Sequence, residues 1–441
     1  MKHHRWTHLV HEHSIETLGN ICYSLIERLY PLCRSITGEG TLETLKIIKD
    51  DIDLTIRHVE TGTQVFDWTI PEEWNIREAY IETLSGEKVV DFKNSNLHIV
   101  SYSQATDKVV SRSELDEHLH SIPEHPEWIP YRTAYYNKTW GFCLTDKQRK
   151  ELLDEQYRVF IDSEHKHGRL HFGDLLIPGE SSEEFLIFTH ICHPSLCNDN
   201  LSGISIATQL AKILKSQAKL NKSYRFVFAP ATIGSITWLH QNKDNLQNIK
   251  AGLVLAVAGD AGSMNYKLNR NEGCYTDQIV KHALKSSGRT FNTIDFSPYG
   301  YDERQFCSPG INLPMGSLMR TPNGCYPEYH TSADNLDLVQ AEYLADTISA
   351  YLDVINIFEN NATFLNQAPY GEPQLGKRGL YRKAGGLQDI ERSILANLWV
   401  LNLSDGKYSL LEIAERANMS FSEIQIAAEE LSSTDLLKLK I

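Results

Sequence analysis

Two residues with side chains that bind metals, His190 and Asp199, stand nine positions apart at the end of an apolar segment. The apolar run begins at Phe185 and ends at His190, and a polar loop leads from there to Asp199. Imidazole nitrogens and carboxylate oxygens are ligand types that Zn²⁺ accepts in proteins. The pair alone is a weak signal, so the elements around it decide whether a metal site is expected.

Two more residues of the same chemistry follow other apolar segments of the chain. Asp260 ends a segment that starts at Leu253, and His330 lies in a polar loop beyond the short apolar run 315–318. Residues 201–214 repeat apolar side chains at helical spacing, so the first pair is predicted to lie between a strand and a helix. Because ligands bind at the carboxyl ends of strands in open α/β sheets, these side chains are expected to meet there.

Strand-like and helical segments alternate from about residue 185 onward, which predicts an α/β layer architecture. Before them, short alternating runs (97–102 among them) and dense aromatic residues indicate a β-rich module, either a separate domain or an insertion. The predicted parts are an N-terminal helical piece (1–53), the β-rich module (54–161), the α/β domain (162–364), a linker (365–389) and a C-terminal domain (390–441).

The C-terminal residues 390–441 show a helix-turn-helix pattern followed by a strand-like end at 436–441. Such a module serves either in DNA binding or in packing and interaction. Residues 390–441 carry five Lys or Arg and eight Asp or Glu, a net charge of −3, and the second helical segment, 419–431, has no basic residue. Because a recognition helix has to neutralise phosphates, the sequence disfavours nucleic acid as a partner.

The composition of the 441-residue chain, with 41% hydrophobic and 23% charged residues, is that of a globular protein with an ample core. Its net charge of −14 argues against general affinity for nucleic acid or anionic lipid. No apolar run approaches the ~20 residues that a membrane helix needs, and the histidine-rich start lacks the apolar segment of a secretory signal. Eight scattered cysteines then indicate reduced thiols, so a cytoplasmic location without membrane association is expected. Homo-oligomerisation stays open.

The residues above lie in motifs that resemble those of zinc aminopeptidases with the bacterial leucyl-aminopeptidase fold. More closely, nearly the whole chain is similar to a family of aminopeptidase-like proteins that carry an inserted β-rich domain and a C-terminal winged helix. The resemblance implies a mixed, mostly parallel sheet between helices, and a zinc-dependent hydrolase of a peptide or amino-acid amide bond. The motifs that carry it are His190-Ile-Cys-His-Pro-Ser, Asn198-Asp-Asn-Leu-Ser-Gly203, Thr232-Ile-Gly-Ser235, Asp302-Glu-Arg-Gln305 and Pro327-Glu-Tyr-His-Thr-Ser-Ala-Asp-Asn335.

Carried over residue by residue, the resemblance makes Asp199 the carboxylate that can bridge two metal ions. His190 and Asp260 complete the ligands of one ion, and His330 belongs to the other. Sites of this kind leave room for a water molecule, whose pKa the metal lowers while it polarises the scissile carbonyl. The cofactor implied is zinc, with one ion tightly held and room for a second, and the implied partner is a small peptide or amino-acid conjugate.

At position 231 the sequence departs from the family pattern. The relatives place the general-base Glu where this chain has Ala231, and Thr232 stands where the well-studied enzymes have a further carboxylate ligand. Thr232 favours a single tightly held zinc, and Ala231 cannot accept a proton. Since a positioned base contributes about 10²–10⁴-fold in rate, the chain is predicted to be catalytically impaired. Either a deliberate Glu→Ala inactivation that traps a ligand or a natural pseudoenzyme fits this departure.

The remaining candidates for contact with substrate are polar or charged residues in the same motifs. They are the acids Asp302 and Glu303 and the substrate-binding candidates Tyr301, Arg304, Arg320, Tyr326 and Tyr329. The guanidinium groups would hold a carboxylate, the acids a substrate ammonium, and the tyrosines beside His330 an oxyanion. Tyr301 replaces the Ser usual at its position and is expected to reshape the pocket. Structural ion pairs are an equally good interpretation of each charged residue.

Three alternatives use the same segment differently. A structural zinc site would draw on His190, Cys192, His193 and Cys197, although the second paired half of such a site is missing. Alternatively, Cys192 would be a nucleophile with His193 as its base, against the simpler interpretation of a packing thiol. The third is a non-catalytic protein that binds a peptide or sugar conjugate. Among enzymes, the runner-up is an amidase or deacylase of a small-molecule or sugar conjugate.

Overall fold

The computed structural model of the chain describes residues 15–380 and 387–440, and the histidine-rich start of the sequence lies outside them. The helices are α1 (Ile15–Leu29), α2 (Glu39–Asp51), α3 (Arg112–Asp116), α4 (Asp146–Glu151), α5 (Gly203–Lys215), α6 (Ile233–Asn242), α7 (Tyr275–Ser286), α8 (Glu303–Phe306), α9 (Ala341–Asn360), α10 (Leu387–Leu403), α11 (Leu410–Ala417) and α12 (Phe421–Ser432). Within this described part of the chain, no helix combines the length and apolarity needed to cross a membrane.

The strands are β1 (Thr55–Glu60), β2 (Gln64–Val65), β3 (Trp68–Thr69), β4 (Glu73–Thr83), β5 (Lys88–Asp91), β6 (Thr106–Ser111), β7 (Leu119–His120), β8 (Phe142–Cys143), β9 (Gln156–Lys166), β10 (Arg169–Ile177), β11 (Glu184–His190), β12 (Ser223–Ala229), β13 (Ile249–Leu255), β14 (Met264–Lys267), β15 (Phe291–Ile294), β16 (Met315–Met319), β17 (Thr363–Asn366), β18 (Asp405–Ser409) and β19 (Leu437–Leu439). Single helical turns occur at Asn96–His98, Cys197–Ser202, Lys243–Asn248 and Gly376–Arg378.

Eight strands form one central sheet in the order β1-β10-β12-β11-β13-β16-β14-β15. The middle strands β12, β11, β13 and β16 run parallel, whereas β10 is antiparallel to both β1 and β12. At the other edge, β14 is antiparallel to β16 and parallel to β15. All seven residues of β11 are buried, as expected of a parallel strand that is covered on both faces. The predicted mixed, mostly parallel sheet is therefore confirmed.

Each face of the central sheet packs against its own hydrophobic core. Along β11, Phe185 and Ile187 belong to one core and Leu186 and Phe188 to the other, because side chains alternate along a strand. The first core includes the apolar faces of α1, α2, α5, α7 and α9. The second includes α6 and the inner side of the β-rich module.

The β-rich module lies between β1 and β10 and centres on an antiparallel sheet in the order β5-β4-β9-β6. Its observed limits differ from the predicted 54–161, since β1 pairs with β10 in the central sheet and β9 continues to Lys166. The local alternation of apolar and polar residues does not show that β1 pairs with a strand far along the chain. The predicted strand at 97–102 is wrong, because this segment begins as a helical turn and makes only isolated bridges.

The C-terminal domain consists of α10, α11, α12 and a small sheet in the order β18-β17-β19. Ser-Glu capping boxes start α11 at Ser409 and α12 at Ser420. The predicted helix-turn-helix and terminal strand are confirmed. The central strand of the small sheet is β17, so the domain includes residues from 363 onward. It therefore begins before the predicted linker of 365–389 and not after it.

Candidate metal centre

Three segments meet at the carboxyl ends of the parallel strands. His190 is the last residue of β11 and lies opposite Ala229, the last residue of β12. Asp199 lies in the irregular turn that leads into α5, where its backbone departs from helical angles. His330 comes from the loop that follows β16. The structure therefore brings together three of the four predicted metal ligands.

Three imidazole rings surround the carboxylate of Asp199. His190 Nε2 lies 2.8 Å from Oδ1, and His330 Nε2 lies 2.9 Å from Oδ2. His193, which the sequence analysis named only in the two alternatives based on cysteine, places its Nε2 3.8 Å from Oδ2. Ligand atoms of His190, His193 and Asp199 all lie within 4.8 Å of one another. His193 therefore joins the candidate site.

The protonation states of this cluster suit a metal. Burial alone would raise the pKa of Asp199, but its interactions with His193, His190 and His330 hold it well below its usual value. Burial lowers the pKa of His193 well below its ordinary value, and Asp199 only partly opposes this shift. Metal ligands have to be deprotonated, and an ionised carboxylate beside a neutral imidazole meets that requirement.

The residues present fit a zinc ion. Imidazole nitrogen and carboxylate oxygen are its usual protein ligands, and here they face one another in a buried position. A buried carboxylate beside a neutral imidazole also requires a compensating positive charge, which a divalent cation supplies. His190, His193 and Asp199 form the set whose ligand atoms lie closest together, and His330, at 2.9 Å from Asp199 Oδ2, is the fourth donor.

Asp260 lies outside this group. Its Oδ2 accepts hydrogen bonds from Asn198 Nδ2 at 2.9 Å and from Thr321 N at 3.2 Å. Its Oδ1 accepts from Gly262 N at 2.6 Å and from Thr321 Oγ1 at 2.5 Å. Both carboxylate oxygens are thus taken by protein donors, so the arrangement does not support the predicted ligand role. Asp260 instead anchors Asn198, the neighbour of Asp199.

Asp334 anchors the Asp199 turn as well. Its Oδ1 accepts from Asn198 N at 2.6 Å and its Oδ2 from Asp199 N at 2.9 Å. Burial raises the pKa of Asp334 to about 7, although these backbone donors oppose the rise. The residue lies in the motif around His330, but its contacts with a turn far away in sequence are visible only in the fold.

Position 231 lies between β12 and α6, close to the histidines. The carbonyl of Ala231 accepts a weak hydrogen bond from Cys192 Sγ at 3.7 Å, and that sulfur lies 3.4 Å from His193 Nδ1. The methyl side chain of Ala231 offers neither a proton acceptor nor a metal ligand. The place predicted for the absent base is therefore linked to His193 through Cys192.

The three predicted tyrosines line the histidine cluster. Tyr301 stacks on His190 with 5.2 Å between ring centroids, and Tyr329 stacks on His330 at 4.0 Å. Tyr326 meets Tyr329 edge to face at 5.6 Å. Burial raises the pKa of all three hydroxyls, so they stay protonated and can donate hydrogen bonds.

The two predicted acids of the 302–305 motif have different surroundings. Asp302 accepts a 2.6 Å hydrogen bond from Ser235 Oγ, and burial raises its pKa to about 6. Glu303 forms a buried ion pair with Lys267 at 2.8 Å, so its charge is already compensated. Asp302 is the better candidate for a role in proton transfer or ammonium binding, and Glu303 for a structural one. Arg304 is partly exposed.

Arg320 contacts a different part of the molecule. Its Nη1 donates to Asp346 Oδ2 at 2.9 Å, and its guanidinium group lies 4.9 Å from the ring centroid of Tyr343. Both partners belong to α9. The arrangement does not support the predicted role of Arg320 in holding a substrate carboxylate.

Tyr131 from the β-rich module is a site residue that sequence reasoning missed. Its ring lies 5.2 Å from that of His193 and 5.3 Å from that of His330. Its backbone N donates to His330 O at 2.8 Å. Ile129 N donates to Ser332 Oγ at 2.9 Å, and Ser332 N donates to Ile129 O at 2.8 Å. The module therefore holds the loop that carries His330. In the sequence, only the density of aromatic residues in the module indicated that it contributes to the site.

Arg34, in the loop between α1 and α2, is a second missed residue. It is only 1% exposed, and its Nε donates to His193 O at 2.8 Å while Nη1 donates to Leu29 O at 2.5 Å. Burial lowers its pKa to about 10. The guanidinium group fixes the backbone of His193. The sequence does not predict this contact, because Arg34 is a single arginine in a Gly-bearing loop.

The geometry supports neither alternative based on cysteine. Cys192 is 1% exposed and burial raises the pKa of its thiol, which disfavours a nucleophilic thiolate. Cys197 belongs to the other hydrophobic core, and no cysteine joins the group of metal-ligand atoms found among the described residues. All eight cysteines are free thiols, as predicted.

Nearly the whole chain matches known protein families. The family described as "Domain of unknown function (DUF4910)" matches residues 23–361, and a winged helix-turn-helix family matches residues 362–439. A Clostridium acetobutylicum protein described as "Putative polysaccharide biosynthesis protein with aminopeptidase-like domain" is 52% identical over 428 residues, which cover 97% of this chain and 98% of that protein.

Solved structures place the fold among the aminopeptidases. A crystal structure described as a "putative peptidase" from Clostridium acetobutylicum superposes with a TM-score of 0.92 at 50% identity, over 97% of each chain. The zinc aminopeptidase BSAP from Bacillus subtilis gives a TM-score of 0.57 at 12% identity, over 76% of this chain and 94% of that one. At 12% identity the likeness shows the fold alone. The aminopeptidase-like fold is thus confirmed, and the chain belongs to the DUF4910 family and carries a C-terminal winged helix.

Proposed function

We propose that the chain is a zinc-dependent hydrolase of an amide bond in a peptide or amino-acid conjugate, and that Ala231 leaves it catalytically impaired. One observation carries the proposal. Three imidazole rings face the buried carboxylate of Asp199 at the carboxyl ends of the parallel strands, in an aminopeptidase-like fold.

His190, His193 and Asp199 would hold the zinc, with His330 as a further ligand. Bound zinc supplies Lewis-acid chemistry, which polarises an amide carbonyl and lowers the pKa of a water molecule. Thr232 brings no carboxylate to the site, which supports a single tightly held ion over two.

The surrounding residues would bind and orient the substrate. The protonated hydroxyls of Tyr326 and Tyr329 are candidates to donate hydrogen bonds to a carbonyl oxygen that gains negative charge. Tyr131 packs against two of the histidines and closes the site on the side of the β-rich module. A site closed in this way favours short substrates, which supports a peptide or conjugate over a folded protein.

Proton transfer is the step at which this chain is deficient. A general base has to take a proton from the attacking water and deliver it to the leaving nitrogen. Ala231 has no group for this task. We therefore expect substrate binding with little turnover.

The test is to measure zinc content and hydrolysis of amino-acid amides and dipeptides by the chain and by its Ala231→Glu variant. We expect one zinc per chain in both, and a rise in turnover of about 10²–10⁴-fold in the variant. Ala231→Gln, which matches Glu in size but cannot accept the proton, serves as the control and should stay inactive. Absence of zinc from both proteins would refute the proposal.

A second candidate is an amidase or deacylase that acts on a sugar-linked amide. The description of the 52% identical Clostridium relative as a polysaccharide biosynthesis protein favours it. The same residues would do the same chemistry, so the two candidates differ only in the substrate. Turnover of an N-acyl amino sugar by the Ala231→Glu variant, without turnover of dipeptides, would select it.

A non-catalytic binding protein is the remaining candidate. The absent base at position 231 is the observation that supports it. Zinc-dependent ligand binding that persists in the Ala231→Glu variant, with no hydrolysis of any amide tested, would select a binding function.

A further inference from the structure

We infer that the β-rich module carries a saccharide-binding site formed by Phe66, Trp68 and Tyr136, here named the aromatic platform. The inference rests on the second candidate function above, the amidase of a sugar-linked amide, since the platform would hold the sugar part of a conjugate whose amide bond lies at the metal centre. It assigns a substrate class and a second binding site to the chain.

The platform is a surface of large aromatic side chains that the fold leaves open. Phe66, Trp68 and Tyr136 are 47%, 44% and 52% exposed. The rings of Trp68 and Tyr136 lie 5.7 Å apart, and Phe66 meets the ring of His240 edge to face at 5.1 Å. Phe66 and Trp68 lie at the same β2–β3 hairpin, and exposed aromatic groups gathered in this way mark binding sites, because leaving them in water is unfavourable.

Two chains of contact connect the platform to the metal centre. Tyr136 follows Tyr135, whose hydroxyl lies 3.1 Å from that of Tyr131, the residue packed against His193 and His330. On the other side, His240 belongs to α6, which begins just beyond position 231. At 1.5 Å per residue, His240 lies about 12 Å along the helix from Thr232. Phe66 therefore packs against the same helix that begins beside position 231.

The size of the platform favours a small ligand over a protein partner. An aromatic side chain buries 150–250 Å² when fully covered, so three half-exposed rings offer on the order of 300 Å². A stable protein interface buries roughly 800 Å² per partner. The platform is therefore much smaller than a protein docking surface.

The shape and charge of the platform favour a saccharide over a flat aromatic ligand or a nucleic acid. The planes of Trp68 and Tyr136 are tilted by 58°, so a single planar ligand can stack on only one of them. Sugar rings joined by a flexible linkage can place an apolar C–H face on each. The exposed side chains of Asp67 and Asn137 follow platform residues directly and can bond sugar hydroxyls. The net charge of −14 disfavours a polyanion.

The test uses the fluorescently labelled full-length chain on an array of bacterial surface oligosaccharides. We expect binding to a defined set of them, weakened at least tenfold in both Trp68→Ala and Tyr136→Ala. Tyr370→Ala, which removes a fully exposed tyrosine elsewhere, is the matched control and should bind normally. Asp199→Asn should lose zinc but keep its binding to the array, so failure of the metal centre is distinguishable from failure of the platform.

Three results would overturn the inference. The first is that the chain binds no oligosaccharide on the array. The second is binding that is unchanged in both platform variants. The third is a concentration-dependent dimer in size-exclusion chromatography that Trp68→Ala abolishes, which would assign the aromatic platform to self-association.

Discussion

At Asp199, burial and charge act in opposite directions on one carboxyl group. Burial favours the neutral acid, yet the surrounding imidazoles hold the pKa of Asp199 well below its usual value. Asp199 contributes the sole carboxylate to the ligand group found among the described residues. Its negative charge is therefore the feature on which metal binding depends.

Replacing Asp199 by Asn keeps the shape of the side chain and removes that charge. We expect Asp199→Asn to weaken zinc binding by more than about 100-fold, measured by competition with a coloured chelator. Asp260→Asn, the matched variant of a residue that anchors the site without joining it, should lose only about 10–100-fold, as is typical of groups behind the ligands. Equal losses of zinc affinity in the two variants would indicate that Asp260 is a metal ligand.

A small carboxylic acid should substitute for the side chain that is absent at position 231. We expect added formate to increase amide hydrolysis by the Ala231 chain in proportion to its concentration, because it can accept the proton that Ala231 cannot. Initial rates at constant ionic strength provide the measurement. Formate should have no effect on Ala231→Gln, whose larger side chain fills the same space. Equal stimulation of both proteins would argue against a missing base.

The sequence identifies His190, Asp199 and His330 because each follows an apolar segment that forms a strand. By the same criterion Asp260 is equivalent to them, but donors from Thr321 and Gly262 occupy its carboxylate. These contacts come from loops whose conformation no periodicity encodes. Loop geometry therefore limits the prediction of the site more than residue chemistry does.

Among the elements, the pairing of the β-rich module with the His330 loop determines how firmly that ligand is held. The Ile129–Ser332 hydrogen bonds and the Tyr131 N–His330 O bond join two segments far apart in sequence. The module is thus part of the metal centre as well as its cover.

Removing the Ser332 hydroxyl should loosen this pairing. We expect Ser332→Ala to lower the free energy of unfolding by about 1 kcal/mol, because Ile129 N loses its partner, and to weaken zinc binding as well. Ser287→Ala is the control, since Ser287 follows the last residue of α7, away from the site, and its Oγ donates to Leu284 O. Denaturant unfolding and chelator competition measure the two effects. Unchanged zinc affinity in Ser332→Ala would show that the module does not position His330.

The capping box at Ser420 provides a prediction for the winged helix. We expect Ser420→Ala to destabilise α12 by about 1 kcal/mol, since its hydroxyl accepts from Glu423 N and is bonded to the Glu423 carboxylate. Faster hydrogen exchange confined to α12 would report the change, and zinc affinity should stay the same. Ser422→Ala, inside the same helix, is the control. Equal exchange in the two variants would contradict the role of the cap.

Helices and strands are predicted correctly from the sequence where they are fully buried. The prediction is wrong where a strand pairs with a partner far away in the sequence. The fully apolar run of β11 and the periodic residues of α5 are both placed correctly from local pattern. The limits of the β-rich module are not, since β1 is assigned by its partner β10 rather than by its own residues.

Across the whole molecule, acidic charge extends to the winged helix. Its Arg392 is paired with Glu423 of α12 at 3.0 Å, so this basic residue is not free to bind phosphate. We expect no binding of a labelled duplex DNA at physiological salt in a fluorescence anisotropy titration, beyond the non-specific range of about 10⁻⁴–10⁻⁶ M. Submicromolar, salt-sensitive binding would contradict this expectation and assign the domain a role in DNA recognition.

The most direct test of the metal centre is an anomalous difference map, recorded at the zinc absorption edge from crystals of the full-length chain grown with zinc. We expect a peak at bonding distance from the Asp199 carboxylate and from Nε2 of His190 and His193. A map with no peak at this position, at full zinc concentration, would contradict it.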